Sequence, residues 1–63
     1  MSFNKNDDVR LVDNPTQTGC VCRVNIIGIS NSIVVKWNSG PIYEQGYMVA
    51  YFSDELNNIE LDN

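Results

Sequence analysis

The stretch from Ser32 to Gly40 constrains the fold of this chain most strongly. Three β-branched residues, a lysine and the only tryptophan lead directly into an Asn-Ser-Gly corner. β-Branched and aromatic residues favour extended backbone, and side chains alternate between the two faces of a strand. We therefore predict a central strand whose core face carries Ile33, Val35 and Trp37.

The length and composition indicate one small folded domain. The chain has 63 residues, and a domain of this size buries only about 60% of the surface that it exposes when unfolded. The sequence is 43% hydrophobic and 19% charged, which is typical of a globular domain and argues against overall disorder. Aromatic residues make up 10% of the chain, so their large side chains can fill much of a core that would otherwise be thin.

No segment is predicted to cross a membrane or to direct secretion. The sequence has no run of about 18 apolar residues, which is the length that a membrane-spanning helix needs. Residues 1–8 lack the apolar region of a secretory signal. We expect a cytoplasmic protein, and a mature secreted fragment is the less favoured alternative because the chain begins with Met1.

Cys20 and Cys22 are predicted to be free thiols. On a strand they point to the same face, but a disulfide between such close neighbours has strained geometry. A structural zinc ion usually takes four ligands, whereas the sequence has no histidine and no further cysteine. The spacing also differs from the Cys-x-x-Cys of redox proteins. We expect small buried or half-buried side chains, no metal and no cofactor, with a regulatory or metal role as the minor alternative.

Charge is distributed unevenly along the chain. The net charge is −4; residues 1–43 carry all four basic side chains against three aspartates, which gives +1, and residues 44–63 carry five acids alone, which gives −5. Nucleic-acid binding depends on clustered lysine and arginine. The basic side chains here are scattered, at Lys5, Arg10, Arg23 and Lys36. Direct binding of DNA or RNA is therefore disfavoured.

The chain begins with a polar segment followed by a short strand. Residues 1–7 show no hydrophobic periodicity, which predicts a flexible N-terminal arm. Within it, Phe3 either packs back onto the domain or anchors a partner. Val9–Val12 is predicted to be a strand, and Asp13-Asn14-Pro15 ends it because this cluster favours a turn.

A long second strand is predicted from Cys20 to Ile27. The pattern is imperfect, because Gly19, Val21 and Val24 look like core positions and break the two-residue period. One extra residue near Arg23, a β-bulge, restores the period. The same bulge supplies the bend that a small barrel needs.

Turns and strands alternate through the second half of the chain. Gly28–Asn31 has the residues of a hairpin turn, and Asn38–Gly46 is a longer loop. Tyr47–Phe52 is a strand that is apolar on both faces, so either both faces are covered or one contacts a partner. Ser53–Leu56 predicts a 3-10 turn with a capping serine, and Asn58–Leu61 is the last strand.

Five groups of residues, taken in order, carry a resemblance to a known fold family. They are Asp8-x-Arg10-Leu11, Asn14-Pro15, Gly19-x-Val21-x-x-Val24, Val34-Val35-x-Trp37-x-x-Gly40 and Tyr51-x-x-Asp54-Glu55-Leu56-x-x-Ile59-x-Leu61. Their order and spacing resemble the SH3-like small barrels found in Tudor and KOW modules. The resemblance implies an all-β fold, a five-stranded SH3-like barrel over residues 8–61 with a single 3-10 turn before the last strand. It implies no particular function, because such folds host many activities.

The chain departs from both kinds of module. KOW modules that contact nucleic acid are generally basic, whereas this chain ends in an acidic segment. Tudor modules that bind methylated lysine or arginine hold the cation in an aromatic cage. A small barrel needs most of its aromatic side chains for the core, which disfavours a cage. The candidate cage residues are Trp37, Tyr43, Tyr47, Tyr51 and Phe52.

No catalytic constellation is found, so we expect a protein that is not an enzyme. There is no histidine for acid–base chemistry at neutral pH, and hence no histidine partner that would activate Cys20 or Cys22. Asp54 and Glu55 are interpreted as solvated acids near the N-terminal end of the 3-10 turn.

We expect instead a protein-interaction module or adaptor that acts through the surface of residues 43–52. If Tyr47 and Tyr51 face the core, the alternate residues Met48, Ala50 and Phe52 form an exposed apolar row, and such rows commonly mark interfaces. The alternative is that Phe3 covers this row. The predicted partner-binding residues are Tyr43, Glu44, Met48, Phe52, Asp54 and Glu55.

Two further interpretations remain open. A small acidic inhibitor, of the kind that phages or mobile elements encode, would present the acidic segment to a basic groove of a nucleic-acid-handling protein, since complementary charge speeds docking. The acids it would use are Glu44, Asp54, Glu55, Glu60 and Asp62. A structural subunit or homodimer would instead use the apolar row as its interface.

Overall fold

The computed structural model describes residues 3–28 and 31–62, apart from the side chain of Ile27. Five antiparallel strands form one sheet that curls into a half-barrel. The strands are β1 (Asp8–Leu11), β2 (Thr18–Val24), β3 (Ser32–Ser39), β4 (Met48–Phe52) and β5 (Ile59–Leu61). Their order in the sheet is β4-β3-β2-β1-β5. This confirms the predicted all-β, five-stranded fold, which is compatible with an SH3-like module.

The predicted bulge in β2 is confirmed. Val21 pairs with Val35 and Arg23 pairs with Val34, so one extra residue of β2 lies between these two pairs. The strand itself is shorter than predicted, because Asn25 adopts a left-handed conformation (φ 52°) and Ile26–Gly28 form a 3-10 turn. Val24 was expected in the core but is 37% exposed, since it lies at the end of the strand.

The β2–β3 connection has the backbone conformations that its residues suggest. Gly28 and Asn31 both have positive φ, 73° and 54°, which glycine and asparagine tolerate best. The middle of the predicted turn, residues 29 and 30, lies outside the described residues.

The core is built on the inner face of β3, as predicted. Ile33, Val35 and Trp37 are 3%, 0% and 0% exposed. Gly19 in β2 lies directly beneath the Trp37 ring: a Cβ atom there would be 2.9 Å from Trp37 Cε3 and 2.6 Å from the Lys36 carbonyl oxygen. The glycine is therefore required by close packing. The remaining buried hydrophobic residues are Phe3, Val9, Val21, Tyr51 and Ile59.

The N-terminal segment packs against the sheet over residues 3–7. Phe3 is 8% exposed and joins the core, which resolves the two alternatives for this side chain in favour of packing. The Asn6 N–H donates to the Val21 carbonyl (2.7 Å), and the Val21 N–H donates to the Asp7 carbonyl (2.9 Å). The mobility expected for residues 1–7 stays a prediction.

A six-residue 3-10 helix, Ser53–Asn58, precedes β5, as predicted. Its N-terminus differs from the prediction, because Ser53 is a left-handed residue (φ 46°) inside the helix and not its cap. Phe52 occupies the cap position, and its N–H donates to Glu55 Oε1 at 3.1 Å. Neither of the helical segments in the described part of the chain is long and apolar enough to cross a membrane.

We predict that Trp37→Ala lowers the free energy of unfolding by about 3–5 kcal/mol, because it removes the largest buried side chain. Urea denaturation monitored by circular dichroism measures the loss. Met48→Ala is the control: Met48 is 60% exposed, so this change should shift stability by no more than about 0.5 kcal/mol. A Trp37→Ala protein as stable as the control would contradict the core assignment.

Candidate functional site

A buried glutamine holds the loop between β3 and β4 in place. Gln17 is fully buried, and its Oε1 accepts hydrogen bonds from the backbone N–H groups of Ile42 (2.8 Å) and Tyr43 (2.9 Å). Its Nε2 donates to the Tyr43 carbonyl at 3.4 Å. One side chain therefore satisfies three backbone groups of a segment that belongs to no strand.

Sequence reasoning missed Gln17, because a polar residue between a proline and a strand looks like an ordinary loop residue. The one signal that accompanies it is Gly40. This glycine has φ 139°, and a Cβ atom there would lie 2.5 Å from both Gln17 Cα and Gln17 Oε1. Only glycine allows the loop to approach the buried amide so closely.

The anchored loop places Tyr43 in the middle of a stack of three aromatic rings. Trp37 and Tyr43 are 5.5 Å apart between ring centroids with an interplanar angle of 13°, and Tyr43 and Tyr47 are 5.5 Å apart at 8°. Tyr51 meets Trp37 edge-on at 6.5 Å. Because Trp37 is fully buried and Tyr47 is 56% exposed, the stack runs from the core to the surface.

This packing does not form the aromatic cage that was considered from the sequence. Both faces of Tyr43 are occupied by the neighbouring rings, and Trp37 has no exposed surface. A cage needs several ring faces that converge on one cation. In the stack, Tyr47 is the ring that offers substantial surface to a partner.

Two adjoining clefts flank Tyr43, and we call them together the Tyr43 groove. The smaller cleft, about 330 Å³, is lined by Ile42, Tyr43, Glu44 and Tyr47. The larger, about 400 Å³, shares Ile42 and Tyr43 and is completed by Leu11, Asp13, Asn14, Tyr51 and Asn58. Apolar and aromatic walls with a few polar groups are typical of ligand-binding clefts.

Among the described residues, two buried side-chain atoms beneath the groove form no hydrogen bond, namely Trp37 Nε1 and the Tyr51 hydroxyl oxygen. Burial, assisted by the nearby Tyr43 hydroxyl, raises the pKa of Tyr51 to about 12. Tyr43 and Trp37 are thus close enough to influence the pKa of the Tyr51 hydroxyl, although neither forms a hydrogen bond of good geometry with it. Buried polar groups without partners are uncommon in folded proteins.

The structure separates the predicted partner-binding residues into distinct places. Tyr43 and Glu44 line the Tyr43 groove. Met48 is 60% exposed on the opposite face of the sheet, because strand residues alternate and Tyr51 points into the core.

Phe52, Asp54 and Glu55 lie together at the far end of β4, where Glu55 accepts the Phe52 N–H. The predicted apolar row is only partly exposed, since Phe52 is half-buried while Met48 and Ala50 are exposed. Phe3 therefore does not cover Met48 or Ala50, as the alternative interpretation of the row required.

Part of the acidic segment is paired with an arginine. Arg10 Nε donates to Glu60 at 2.6 Å, and Arg10 Nη1 donates to Asp62 at 3.2 Å. The two carboxylates raise the pKa of Arg10 above its usual value. These contacts join β1 to β5 and its C-terminal end, and they leave Glu60 and Asp62 less able to bind a basic partner.

The cysteines are free thiols, and both are half-buried. The Cys22 thiol contacts the Val34 carbonyl oxygen at 3.4 Å. In the described ranges, no group of three or more cysteine, aspartate or glutamate side chains is arranged to hold a metal ion.

No family model, curated protein or solved structure matches this chain.

We predict that Gln17→Met lowers the free energy of unfolding by about 1–3 kcal/mol, since the partly buried N–H groups of Ile42 and Tyr43 lose their acceptor. Chemical denaturation measures the loss, and hydrogen exchange should show faster exchange of the Ile42 and Tyr43 amides. Gln45→Met, the same substitution at an exposed glutamine of the same loop, is the control. Unchanged exchange at these two amides would show that Gln17 does not hold the loop.

The Tyr51 pKa predicts a loss of stability at alkaline pH. The unfolded chain ionises this tyrosine near pH 10, whereas the folded protein keeps it neutral up to about pH 12. Between these values the unfolded state binds fewer protons, so stability falls as pH rises, by about 1–2 kcal/mol when solvent screening is taken into account. Chemical denaturation at pH 9 and pH 12 measures the fall in the free energy of unfolding between these two pH values. In Tyr51→Phe this fall should be smaller by the contribution of the Tyr51 hydroxyl. An equal loss in both proteins would contradict the assignment.

Proposed function

We propose that this protein is a non-enzymatic protein-interaction module that binds its partner through the Tyr43 groove. The observation that carries the proposal is the stack of Trp37, Tyr43 and Tyr47, which begins in the core and ends in an exposed ring. Aromatic side chains that rest on a packed core are frequent binding hot spots in protein interfaces. An SH3-like barrel of the Tudor or KOW kind is the family that we propose for this scaffold.

Preorganisation supports this use of the groove. Binding costs free energy when loops and side chains must become ordered. Here the three hydrogen bonds of Gln17 already hold the loop, and stacking already orients the tyrosine rings. Ile42, which is 54% exposed, lies beside these rings and adds apolar surface.

The free edge of β4 favours a second candidate, a homodimer or structural subunit that pairs strands. The Trp37 N–H donates to the Tyr47 carbonyl, and the Ser53 N–H donates to the Asn31 carbonyl. In an antiparallel ladder this register directs the backbone groups of Met48 and Ala50 away from β3. Exposed strand edges readily add another strand. This edge is short, because the Phe52 N–H is already bonded to Glu55.

The acidic-inhibitor interpretation receives less support. Arg10 pairs with Glu60 and Asp62. The three remaining acids of the segment are divided between the groove and the 3-10 helix, so they do not form one continuous acidic surface. Sharply salt-dependent binding to a basic partner would favour this alternative.

We predict that Tyr47→Asp abolishes recovery of the native partner in affinity purification from the host, whereas Met48→Asp retains it. The two residues are adjacent and are 56% and 60% exposed, but they belong to opposite faces of the sheet. The same charge is therefore introduced at equal exposure on each face. Circular dichroism and thermal denaturation confirm that both variants fold.

The reverse pattern, in which only Met48→Asp loses the partner, would place the interface on the outer face of β4. Sedimentation at several concentrations tests the homodimer. A dimer that dissociates in Met48→Asp would support strand pairing, and a strictly monomeric wild type would exclude it. If Tyr47→Asp binds the partner as well as wild type does, the groove is not the interface.

A further inference from the structure

The buried polar atoms beneath the Tyr43 groove restrict the chemistry of what it binds. Tyr51 lines the larger cleft, is 7% exposed and has a hydroxyl without a partner. Trp37 Nε1, in the ring that meets Tyr51 edge-on, also lacks a partner. An indole N–H only donates, and a neutral tyrosine hydroxyl can donate. Both groups therefore match a hydrogen-bond acceptor on the ligand.

The charged side chains that line the groove are negative, so they favour a positively charged ligand. They are Asp13 in the larger cleft and Glu44 in the smaller one, with Tyr43 between them. None of the described residues that line either cleft is basic. In a chain with a net charge of −4, two carboxylates at the groove attract cations and repel anions.

These two requirements together exclude simple ligands. A free anion would pair with the buried donors but would be repelled by Asp13 and Glu44. A bare cation would satisfy the acids and leave the donors of Trp37 and Tyr51 without an acceptor. A polypeptide segment meets both requirements, because every residue has a carbonyl acceptor and lysine or arginine side chains carry the charge.

We propose that the Tyr43 groove binds an extended, basic segment of a partner protein. A backbone carbonyl of that segment accepts a hydrogen bond from the Tyr51 hydroxyl, and flanking lysine or arginine side chains pair with Asp13 and Glu44. The hydroxyl is covered in the free protein, so the side chains above it move as the segment enters, as interface side chains commonly do. This inference rests on the proposed function and adds the chemical class of the partner.

Peptide binding tests the charge requirement directly. Three pools of acetylated, amidated octapeptides, identical except for lysine, glutamate or serine at their variable positions, are titrated into the ¹⁵N-labelled protein. The Trp37 indole N–H gives a separate NMR signal at the groove, because the chain has one tryptophan. The lysine pool should bind at least about 10-fold more tightly than the glutamate pool. Spermine, which has charge but no carbonyl, should leave the indole signal unshifted.

Variants at the two acids test where the charge acts. Asp13→Asn and Glu44→Gln should each weaken binding of the lysine pool about 2- to 5-fold, with a smaller effect at high salt. Asp54→Asn is the matched control, since Asp54 is an exposed acid that does not line the groove. Equal effects at all three positions would show that only the net charge of the protein matters, and this would overturn the proposed site.

Tyr51→Phe separates a binding role from a structural one. The substitution removes a buried hydroxyl without a partner, so the free protein should be at least as stable as wild type in urea. The same variant should bind the lysine pool about 2- to 10-fold more weakly, because the peptide carbonyl loses its donor. Undiminished affinity, or a Tyr51→Phe protein less stable than wild type, would overturn the role given to the hydroxyl.

The outcomes distinguish this inference from the proposed function. If none of the pools shifts the indole signal, or if the glutamate or serine pool binds as tightly as the lysine pool, the basic-segment inference is wrong. The interaction module itself would still stand if Tyr47→Asp loses the native partner. If Tyr47→Asp keeps that partner, the groove is not the interface and both proposals fail.

Discussion

The hydrogen bonds of one buried side chain determine the surface on which the functional proposals rest. Gln17 replaces the strand pairing that the loop after β3 lacks, since its amide satisfies three backbone groups of Ile42 and Tyr43. Leaving those groups unpaired in the interior would be costly, so the loop has one favourable position. In that position Tyr43 stacks on Trp37 and Tyr47 stacks on Tyr43. The loop is thereby tied to the core through one amide and one ring.

The same region contains the least satisfied polar atoms in the described part of the structure. Trp37 Nε1 and the Tyr51 hydroxyl are both buried without a hydrogen bond, in rings that meet edge-on. A core selected for stability alone would use phenylalanine in place of Tyr51, because an apolar ring of the same shape has no hydroxyl to satisfy. Functional sites often retain such locally unfavourable groups. The proposed binding site would account for both the unpaired hydroxyl and the groove above it.

The two faces of β4 have different surroundings, so residues that are adjacent in the sequence lie in different environments. Tyr47 belongs to the ring stack, whereas Met48 lies on the other side of the sheet beside Lys36, with which it is paired in register. The acidic side chains of residues 44–63 are separated in space in the same way. Arg10 neutralises Glu60 and Asp62 on β5 and beyond, whereas Glu44 lines the groove. An acidic segment in the sequence is thus not one acidic surface in the protein.

The sequence by itself determined the strands, the bulge in β2 and the inner face of β3, because these follow from local alternation and turn chemistry. It also predicted Tyr43 and Glu44 as partner-binding residues, and both line the Tyr43 groove. Only the tertiary structure decided that Gln17 is buried and that the tyrosines stack and do not form a cage. Each of these depends on contacts between distant segments, such as Gln17 with residues 42 and 43. Local sequence patterns cannot predict such contacts, because the residues that make them are far apart in the sequence.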